Sequence, residues 1–328
     1  MKTSTFSDPA FGALPGICLI TGGAGFIGSH IAERLAAAGC RVRILDNFFS
    51  GKKENVESFG SRIEVVEGDV RDPKLLSEVM AGVSFVFHEA AVGSVQRSVE
   101  DPAFTNSVNV DGTLNVLIAA RKAGVKRVIY ASSSSVYGDA PAPSKGEDLA
   151  PNPRSPYAVS KLAGELYCRV FHHVYALETV SLRYFNVFGP RQDPASLYAA
   201  VVPKFILALL QNRSLTVFGD GSQSRDFTYV ENVVEANILA AQAPATAGEV
   251  FNIACGSTFT VNELARTLAE LAGVGSAARV VFAPARPEDV RHSQAEIRKA
   301  QDLLGYRVLV STKAGLARTV EWYRDQLT

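Results

Sequence analysis

The sequence predicts an α/β fold, a doubly wound parallel sheet with a smaller mixed C-terminal domain. Apolar runs of strand length alternate with longer helical stretches through the first half of the chain. The runs are continuous in Val, Ile and Leu, which is typical of parallel strands buried on both faces. A glycine-rich turn directly follows the first run. Alternation of this kind implies βαβ units with right-handed crossovers.

The first half supplies the elements of the sheet in a regular order. The predicted strands are Ile17–Thr21, Arg41–Asp46, Ile63–Val66, Phe85–His88, Arg127–Ser132 and Val180–Tyr184. The predicted helices between them are Phe26–Ala38, Pro73–Ala81, Thr105–Ala123 and Tyr157–Tyr175. Pro156 precedes the last helix and suits a first helical turn, where its missing N–H would have no partner.

After Tyr184 the pattern loosens into a region rich in Gly, Pro and Asp. It predicts helices near Val202–Gln211, Val230–Gln242, Val261–Ala272, Gln294–Leu304 and Thr312–Gln326, and a strand at Glu249–Ile253. We expect residues 1–187 and 226–257 to form the larger domain. Residues 188–225 and 258–328 would form a smaller one that completes a site begun by the first half.

The bulk composition excludes several classes of partner. The 328 residues are 47% hydrophobic and carry 33 basic and 33 acidic side chains, so net charge gives no reason to expect nucleic acid or a membrane surface. No stretch approaches the roughly 20 apolar residues of a membrane span, and Met1–Pro15 lacks the apolar core of a signal peptide. The four cysteines, Cys18, Cys40, Cys168 and Cys255, lack metal-ligand or disulfide-framework spacing. We therefore expect reduced thiols, no metal and a cytoplasmic protein.

The glycine-rich turn predicts a dinucleotide site. Gly23, Gly25 and Gly28 satisfy G-x-G-x-x-G between the first strand and the first helix. Such glycines allow a pyrophosphate to approach the backbone at a helix N-terminus. Asp46 ends the next strand, where a carboxylate binds the adenosine ribose and disfavours a 2′-phosphate. The sequence therefore predicts a Rossmann domain that binds NAD rather than NADP.

Asp69 and Val70 follow the third strand and leave two interpretations open. Asp69 could hold the adenine edge of the dinucleotide. It could equally be a plain loop residue that caps the helix at Pro73.

Tyr157 and Lys161 stand four residues apart and therefore share one helix face. An ammonium close to a phenol favours the phenolate, which could act as a base near neutral pH. Such a pair is also common on exposed helices. The hydroxyls of Ser132–Ser135 favour the chemical interpretation, because they end a predicted strand where open α/β sheets bind ligands.

Taken together, these segments resemble the extended short-chain dehydrogenase/reductase family over nearly the whole chain. The resemblance rests on TGGAGFIGS, YAVSK and RYFNVFGPRQ. Within the family the chain is most similar to UDP-N-acetylglucosamine/N-acetylgalactosamine 4-epimerases, through GSVQRS, RQDP, GDGSQSRDF and EDVRHSQAEI.

The resemblance implies a role for each matching position. Tyr157 would be the catalytic base, Lys161 its electrostatic partner, and Ser133 a hydrogen-bonding partner of the reacting hydroxyl, with Ser134 beside it. The residues expected against NAD are Gly22, Gly25, Phe26, Ile27, Gly28, Asp46, Asn47, Ser50, Gly51, Asp69, Val70, Ala90, Ala91, Asn109, Tyr157, Lys161 and Tyr184. Those expected against a UDP-sugar are Ser94, Ser133, Ser135, Asn186, Val201, Lys204, Arg225, Arg286, Asp289 and Ser293. For Lys204, Arg225 and Arg286, a solvated surface charge stays open as the alternative.

The implied activity is 4-epimerisation through a transient 4-keto sugar, with retained NAD and no net redox change. Related dehydratases and decarboxylases carry carboxylates after the strand-end hydroxyl, where this chain has Ser134 and Ser135. Ser293 matches a position where a small residue leaves room for a 2-acetamido group, although it could simply be a small loop residue. Glu89 stands where the family often has a small or apolar residue, and no function is assigned to it.

The resemblance also implies a homodimer packed through the helices near Thr105–Ala123 and Tyr157–Tyr175. Three activities remain as alternatives: a UDP-glucose 4-epimerase, a UDP-glucuronate 4-epimerase, and a non-catalytic NAD-sensing protein. The last class usually loses the Tyr/Lys pair, which this chain keeps.

Overall fold

The computed structural model of the chain describes residues 12–57, 59–60, 63–140, 142, 144–194, 200–285 and 291–327. Its strands are β1 (Ile17–Thr21), β2 (Arg41–Asp46), β3 (Ile63–Glu67), β4 (Val83–His88), β5 (Arg127–Ser133), β6 (Glu178–Tyr184), β7 (Val187–Phe188), β8 (Leu215–Phe218), β9 (Ser224–Arg225), β10 (Thr228–Tyr229), β11 (Val250–Ile253), β12 (Phe259–Thr260), β13 (Val280–Ala283) and β14 (His292–Ser293). Its α-helices are α1 (Phe26–Ala37), α2 (Glu54–Glu57), α3 (Pro73–Val79), α4 (Val95–Glu100), α5 (Pro102–Asn106), α6 (Gly112–Ala123), α7 (Pro156–Tyr175), α8 (Val201–Leu210), α9 (Val230–Gln242), α10 (Val261–Leu271), α11 (Arg298–Leu304) and α12 (Thr312–Leu327).

Within the described residues, the main sheet has seven strands in the order β3-β2-β1-β4-β5-β6-β11, and every pairing is parallel. The order reverses between β1 and β4. In open α/β sheets, ligands bind in the crevice at the carboxyl ends of the strands beside such a reversal. The topology therefore places the site between the turns that follow β1 and β4.

Helices cover both faces of this sheet, as the continuous apolar strands require. Ile31 of α1 and Val233 of α9 belong to the core on one face. Leu76 of α3, Val116 of α6 and Phe171 of α7 belong to the core on the other. The doubly wound α/β prediction is confirmed. Among the described residues, no helix combines the length and the apolar character needed to cross a bilayer.

Two predicted helices were wrong in detail. The helix expected at Thr105–Ala123 begins at Pro102 and is interrupted by a π-helical turn over Ser107–Asp111. The helix expected at Gln294–Leu304 begins only at Arg298, because His292–Ser293 forms a strand beside β9.

Buried Asp226 explains why the helix expected from Gln294 begins only at Arg298. Its N–H donates to the Ser293 carbonyl at 2.8 Å, and its carboxylate accepts from Ala295 N at 3.3 Å. These bonds hold the segment extended, which the helical pattern of the sequence does not reveal.

Candidate active site

The glycine turn after β1 packs directly against the segment after β4. Gly22 has φ +69°, and a Cβ there would lie 2.7 Å from Ala90 N. A Cβ on Gly28 would lie 2.3 Å from the Gly22 carbonyl oxygen. Gly25 caps α1 without a side-chain hydrogen bond, and no acidic residue occupies the first turn at Phe26 and Ile27. The turn is therefore a tight backbone cradle at an open helix N-terminus, which fits a pyrophosphate.

Asp46, at the end of β2, is tied to this cradle. Its carboxylate accepts from Ala24 N at 2.9 Å and from Phe48 N at 2.8 Å. A Cβ on Gly51 would lie 2.7 Å from the Asp46 carboxylate, so glycine is needed there for the loop to fold back. Burial raises the pKa of Asp46, and the two N–H donors oppose that rise. Ser50, beside Gly51, is exposed at the rim of this loop.

Asp69 does not cap the helix at Pro73, which removes one of its two interpretations. The N-cap is Asp72, whose carboxylate accepts from Lys74 N and Leu75 N. Asp69 instead accepts from Asn47 Nδ2 at 2.8 Å and pairs with Arg71 at 2.9 Å. The hydrogen bonds from Arg71 lower the pKa of Asp69 to about 2. Asp69 therefore stays an anion at the carboxyl edge of β3, next to buried Val70.

Helix α7 carries Tyr157 and Lys161 into the crevice from one side. Ser155 caps the helix by accepting from Ala158 N at 3.1 Å, and Tyr157 N donates to Ser98 Oγ at 3.1 Å. Lys161 is 4% exposed, and its ammonium donates to the Ala131 carbonyl of β5 at 2.8 Å. The Ser133 side chain, at the end of β5, is near enough to the Tyr157 hydroxyl to lower the pKa of the phenol. The predicted trio of Tyr157, Lys161 and Ser133 is thus brought together.

The ionisation of the pair differs from the expectation that Lys161 lowers the pKa of the phenol. Burial raises the pKa of Tyr157, the nearby Ser133 hydroxyl opposes this rise, and the Glu89 carboxylate adds to it. The Lys161 ammonium lies 5.9 Å from the centre of the Tyr157 ring and is held by the Ala131 carbonyl. Burial lowers the pKa of Lys161 to about 8. In the protein alone, desolvation therefore outweighs attraction at both groups.

Two further side chains bracket the crevice, and sequence reasoning left one of them without a function. Tyr184 ends β6, and its hydroxyl donates to Glu89 Oε1 at 2.8 Å while it accepts from Asn237 Nδ2 at 2.8 Å. Burial raises the pKa of Glu89 to about 7. The only sequence signal for Glu89 was an acidic residue directly after a buried strand.

Asn109 shapes the segment after β4 from behind. It lies in the π-helical turn, accepts from Val92 N at 2.7 Å and donates to Ser160 Oγ at 3.0 Å. Asn109 thereby fixes the course of Ala90 and Ala91, next to the glycine cradle. Ser94 caps α4 by accepting from Arg97 N at 3.1 Å.

The residues predicted to contact the substrate lie on several elements. Ser135 Oγ is buried without a hydrogen-bond partner in the described chain, next to Ser133. Ser293 pairs with Arg225 across β14 and β9. The remaining predicted positions are distributed as follows: Ser134 starts a 3₁₀ turn, Asn186 donates to Asp226 O at 3.2 Å, Val201 begins α8, Lys204 is exposed on α8, and Arg286 and Asp289 lie outside the described residues.

A family model described as the NAD dependent epimerase/dehydratase family matches residues 18–254, which include the glycine cradle, Ser133, Tyr157 and Lys161. The chain belongs to this family. The predicted cofactor, NAD, and the predicted family resemblance are confirmed.

Epimerases of this family are similar to the chain over nearly their whole length. A UDP-glucose 4-epimerase of Mycolicibacterium smegmatis is 42% identical, with 94% of this chain and 98% of the relative covered. The crystal structure of a UDP-glucose 4-epimerase from Thermotoga maritima with UDP-glucose is 38% identical at a TM-score of 0.91, with 95% and 100% covered. A UDP-N-acetylglucosamine 4-epimerase structure from Methanobrevibacter ruminantium is 39% identical at 0.91, with 96% and 100% covered.

Family membership and the site agree on an enzyme. The relatives described above are named as 4-epimerases, and a hydroxyl, a phenol and an ammonium meet in one crevice of this chain. The alternative of a non-catalytic NAD-sensing protein is not supported.

Proposed function

We propose that the protein is an NAD-dependent 4-epimerase of UDP-hexoses and that its preferred substrates are UDP-N-acetylglucosamine and UDP-N-acetylgalactosamine. The meeting of Tyr157, Ser133 and Lys161 beside the glycine cradle carries the chemical part of this proposal. The 4-epimerase relatives support the substrate class.

In this mechanism the phenolate of Tyr157 takes the proton from the sugar 4-hydroxyl, and the resulting phenol later returns it. Ser133 holds that hydroxyl against the phenol. Lys161 supplies a buried positive charge that favours the phenolate. When bound, NAD supplies the hydride acceptor, and the positive charge of its oxidised ring also favours the phenolate. In this proposal a base, an orienting hydroxyl and a cation surround a single carbon centre.

The residues after β5 favour epimerisation over elimination or decarboxylation. Ser134 and Ser135 occupy the turn where related enzymes carry carboxylates. A serine hydroxyl does not exchange protons with carbon near neutral pH, so the keto sugar has no acid or base for a second reaction there.

Ser293 supports the N-acetylated substrates. It is small, partly buried, and lies beside Arg225 on the edge of the smaller sheet. We propose that residues 188–225 and 258–328, which include both side chains, form the nucleotide-sugar-binding domain. Arg225 would meet the diphosphate, and the space above Ser293 would accept the 2-acetamido group.

A panel of UDP-sugars tests the proposal. Purified protein is incubated separately with UDP-N-acetylglucosamine, UDP-glucose and UDP-glucuronate, and the products are identified by NMR. We expect the N-acetylated sugar to be converted to its 4-epimer fastest. Conversion of UDP-glucose alone would favour the second candidate function, a UDP-glucose 4-epimerase. The name of the 42% identical M. smegmatis relative supports that candidate.

Ser293→Tyr tests the size argument directly. We expect turnover of UDP-N-acetylglucosamine to fall at least about tenfold, while turnover of UDP-glucose persists, because one misfitting group is worth roughly 1–3 kcal/mol in a substrate pocket. Ser293→Ala keeps the space open and serves as the matched control. Equal losses for both sugars in Ser293→Tyr would show that Ser293 does not select for size.

We further propose that the protein is a homodimer. Four apolar residues on one face of α7 are exposed: Val159 by 53%, Leu166 by 50%, Val170 by 47% and Val174 by 64%. Their spacing of seven, four and four residues makes a continuous stripe. An exposed apolar stripe of this kind is typical of a protein–protein interface.

A further inference from the structure

Glu89 is an acidic group at the catalytic crevice that the mechanism does not use. It follows β4, whose last residue His88 pairs with Tyr130 of β5. Glu89 therefore leaves the sheet at the level of Ala131, whose carbonyl holds the Lys161 ammonium. Its own carboxylate is anchored by the Tyr184 hydroxyl at 2.8 Å. The acid therefore follows β4, and the carbonyl that holds the ammonium belongs to the adjacent strand β5.

A buried ammonium needs negative charge nearby, because desolvation disfavours its charged form. Within the described chain, two carboxylates act on Lys161, namely Glu89 and Glu165. Glu165 is already committed elsewhere. It accepts from Arg183 Nε at 2.8 Å and from Arg183 Nη2 at 2.7 Å, and it also accepts from Ser132. Its charge is therefore largely neutralised by Arg183.

Within the described residues, no arginine is paired with Glu89 as Arg183 is with Glu165. The contact that anchors it is the neutral Tyr184 hydroxyl, which Asn237 orients in turn at 2.8 Å. The acid is consequently held in place with its charge available to the crevice. We propose that Glu89 is a positioning residue whose carboxylate is the counter-charge of the Lys161 ammonium and which, by the same charge, opposes early ionisation of the Tyr157 phenol. The activity test of this role rests on the proposed function, whereas the titration test does not.

The pH dependence expected at Glu89 and Lys161 depends on which of the groups packed around them can change charge. These groups are His88 of β4, Tyr130 of β5, Tyr184 of β6, and Tyr157 and Glu165 of α7. The pKa of His88 is lowered to about 3 by burial, so it stays neutral above that pH. The pKa values of Tyr130 and Tyr184 are raised by burial, so both stay neutral as well. Glu89 is then the group that changes charge near pH 7.

Removal of the Glu89 charge should lower the pKa values of both Lys161 and Tyr157. The ammonium of Lys161 loses its counter-charge, so its pKa falls below its present value of about 8. The phenol of Tyr157 loses a repelling anion, so its pKa also falls. Below pH 7 the wild type and a Gln variant should converge, since Glu89 itself becomes protonated there.

The test is a titration that needs no turnover. Phenolate absorbance is followed against pH in the purified full chain, and subtraction of a Tyr157→Phe background isolates Tyr157. In Glu89→Gln we expect the Tyr157 midpoint to lie on the order of one pH unit lower than in wild type, the size expected from one nearby charge. Glu89→Asp keeps the charge and should titrate near the wild-type midpoint. Glu64→Gln, on the outer strand β3, makes the same acid-to-amide change far from the crevice and should leave the midpoint unchanged.

An activity profile provides the second readout. The alkaline limb of the pH–rate curve should move to lower pH in Glu89→Gln, because Lys161 loses its proton earlier. An unmoved Tyr157 midpoint, or equal shifts in Glu89→Gln and Glu89→Asp, would overturn the counter-charge role. A shifted midpoint in a protein that converts no UDP-sugar would leave this role intact and refute the proposed function instead.

Discussion

At the scale of single residues, the proposed site depends on three side chains that come from two elements. Ser133 ends β5, while Tyr157 and Lys161 share one face of α7, and the Ala131 carbonyl holds the ammonium in place. Spacing predicted the pair of Tyr157 and Lys161, the strand-end hydroxyls predicted a site beside it, and the family resemblance singled out Ser133. The sequence could not predict the direction of the Tyr157 pKa, because burial and the neighbouring Glu89 are tertiary features.

Tyr157→Phe removes the proton carrier while it keeps the ring. We expect kcat for the UDP-sugar to fall about 10²–10⁴-fold, the range typical of a lost general base. Bound NAD and the melting temperature should change little, since the substitution keeps the ring and removes a single hydroxyl.

The matched control is Tyr175→Phe at the far end of the same helix, where the side chain is 42% exposed. Steady-state rates of the two variants are compared with wild type. Residual activity within about tenfold of wild type in Tyr157→Phe would exclude Tyr157 as the base.

At the scale of elements, His88 joins three of them. Its Nδ1 lies 2.7 Å from Thr21 Oγ1 of β1, and its Nε2 lies 2.9 Å from Thr113 Oγ1 of α6. Burial lowers the pKa of His88 to about 3. The same strand therefore connects the glycine cradle, the crevice and the covering helix through a neutral imidazole.

This linkage predicts how stability depends on pH. An unfolded histidine binds a proton near pH 6.5, while folded His88 does so only near pH 3. Its contribution is therefore fully present above pH 6.5 and is lost as the pH falls towards 3, by at most about 1.4 kcal/mol for each pH unit.

Denaturant unfolding at pH 7 and pH 5 measures this slope. His88→Gln should be less stable at pH 7 but should lose less stability on acidification than wild type. His173→Gln, at an exposed position within α7, should keep the wild-type slope. Identical slopes in all three proteins would show that His88 is not the linked group.

The sequence predicted elements with strong periodicity well and predicted interrupted ones poorly. β1, β2 and α9 have the predicted bounds, because a continuous apolar run or a full helical period defines them. The π-helical turn at Asn109 and the strand at Ser293 were missed, because side-chain bonds from Asn109 and Asp226 to distant backbone determine them. Such bonds leave no local pattern.

At the scale of the whole molecule, the exposed stripe on α7 leads to a prediction about assembly. Val170→Asp places a charge in the centre of the stripe, and burial of an unpaired charge in an interface is strongly unfavourable. We expect wild type to have twice the chain mass in light scattering and Val170→Asp to have the mass of one chain. Leu309→Asp, at an exposed position outside α7, should remain a dimer. A monomeric wild type at micromolar concentration would contradict the dimer proposal.

The fold as a whole explains why one crevice could complete a reaction with no net redox change. The reversal between β1 and β4 places the dinucleotide cradle next to Ser133 and Tyr157. A hydride removed from a sugar would then stay on the bound cofactor until it is returned to the same carbon.

The most direct measurement follows that hydride. A UDP-hexose with deuterium at carbon 4 is incubated with the full chain, and the 4-epimer is examined by NMR and mass spectrometry. The account predicts that the product keeps the deuterium at carbon 4 through every turnover, without accumulation of reduced cofactor. Loss of the deuterium to solvent, or one reduced cofactor formed for each product, would contradict it.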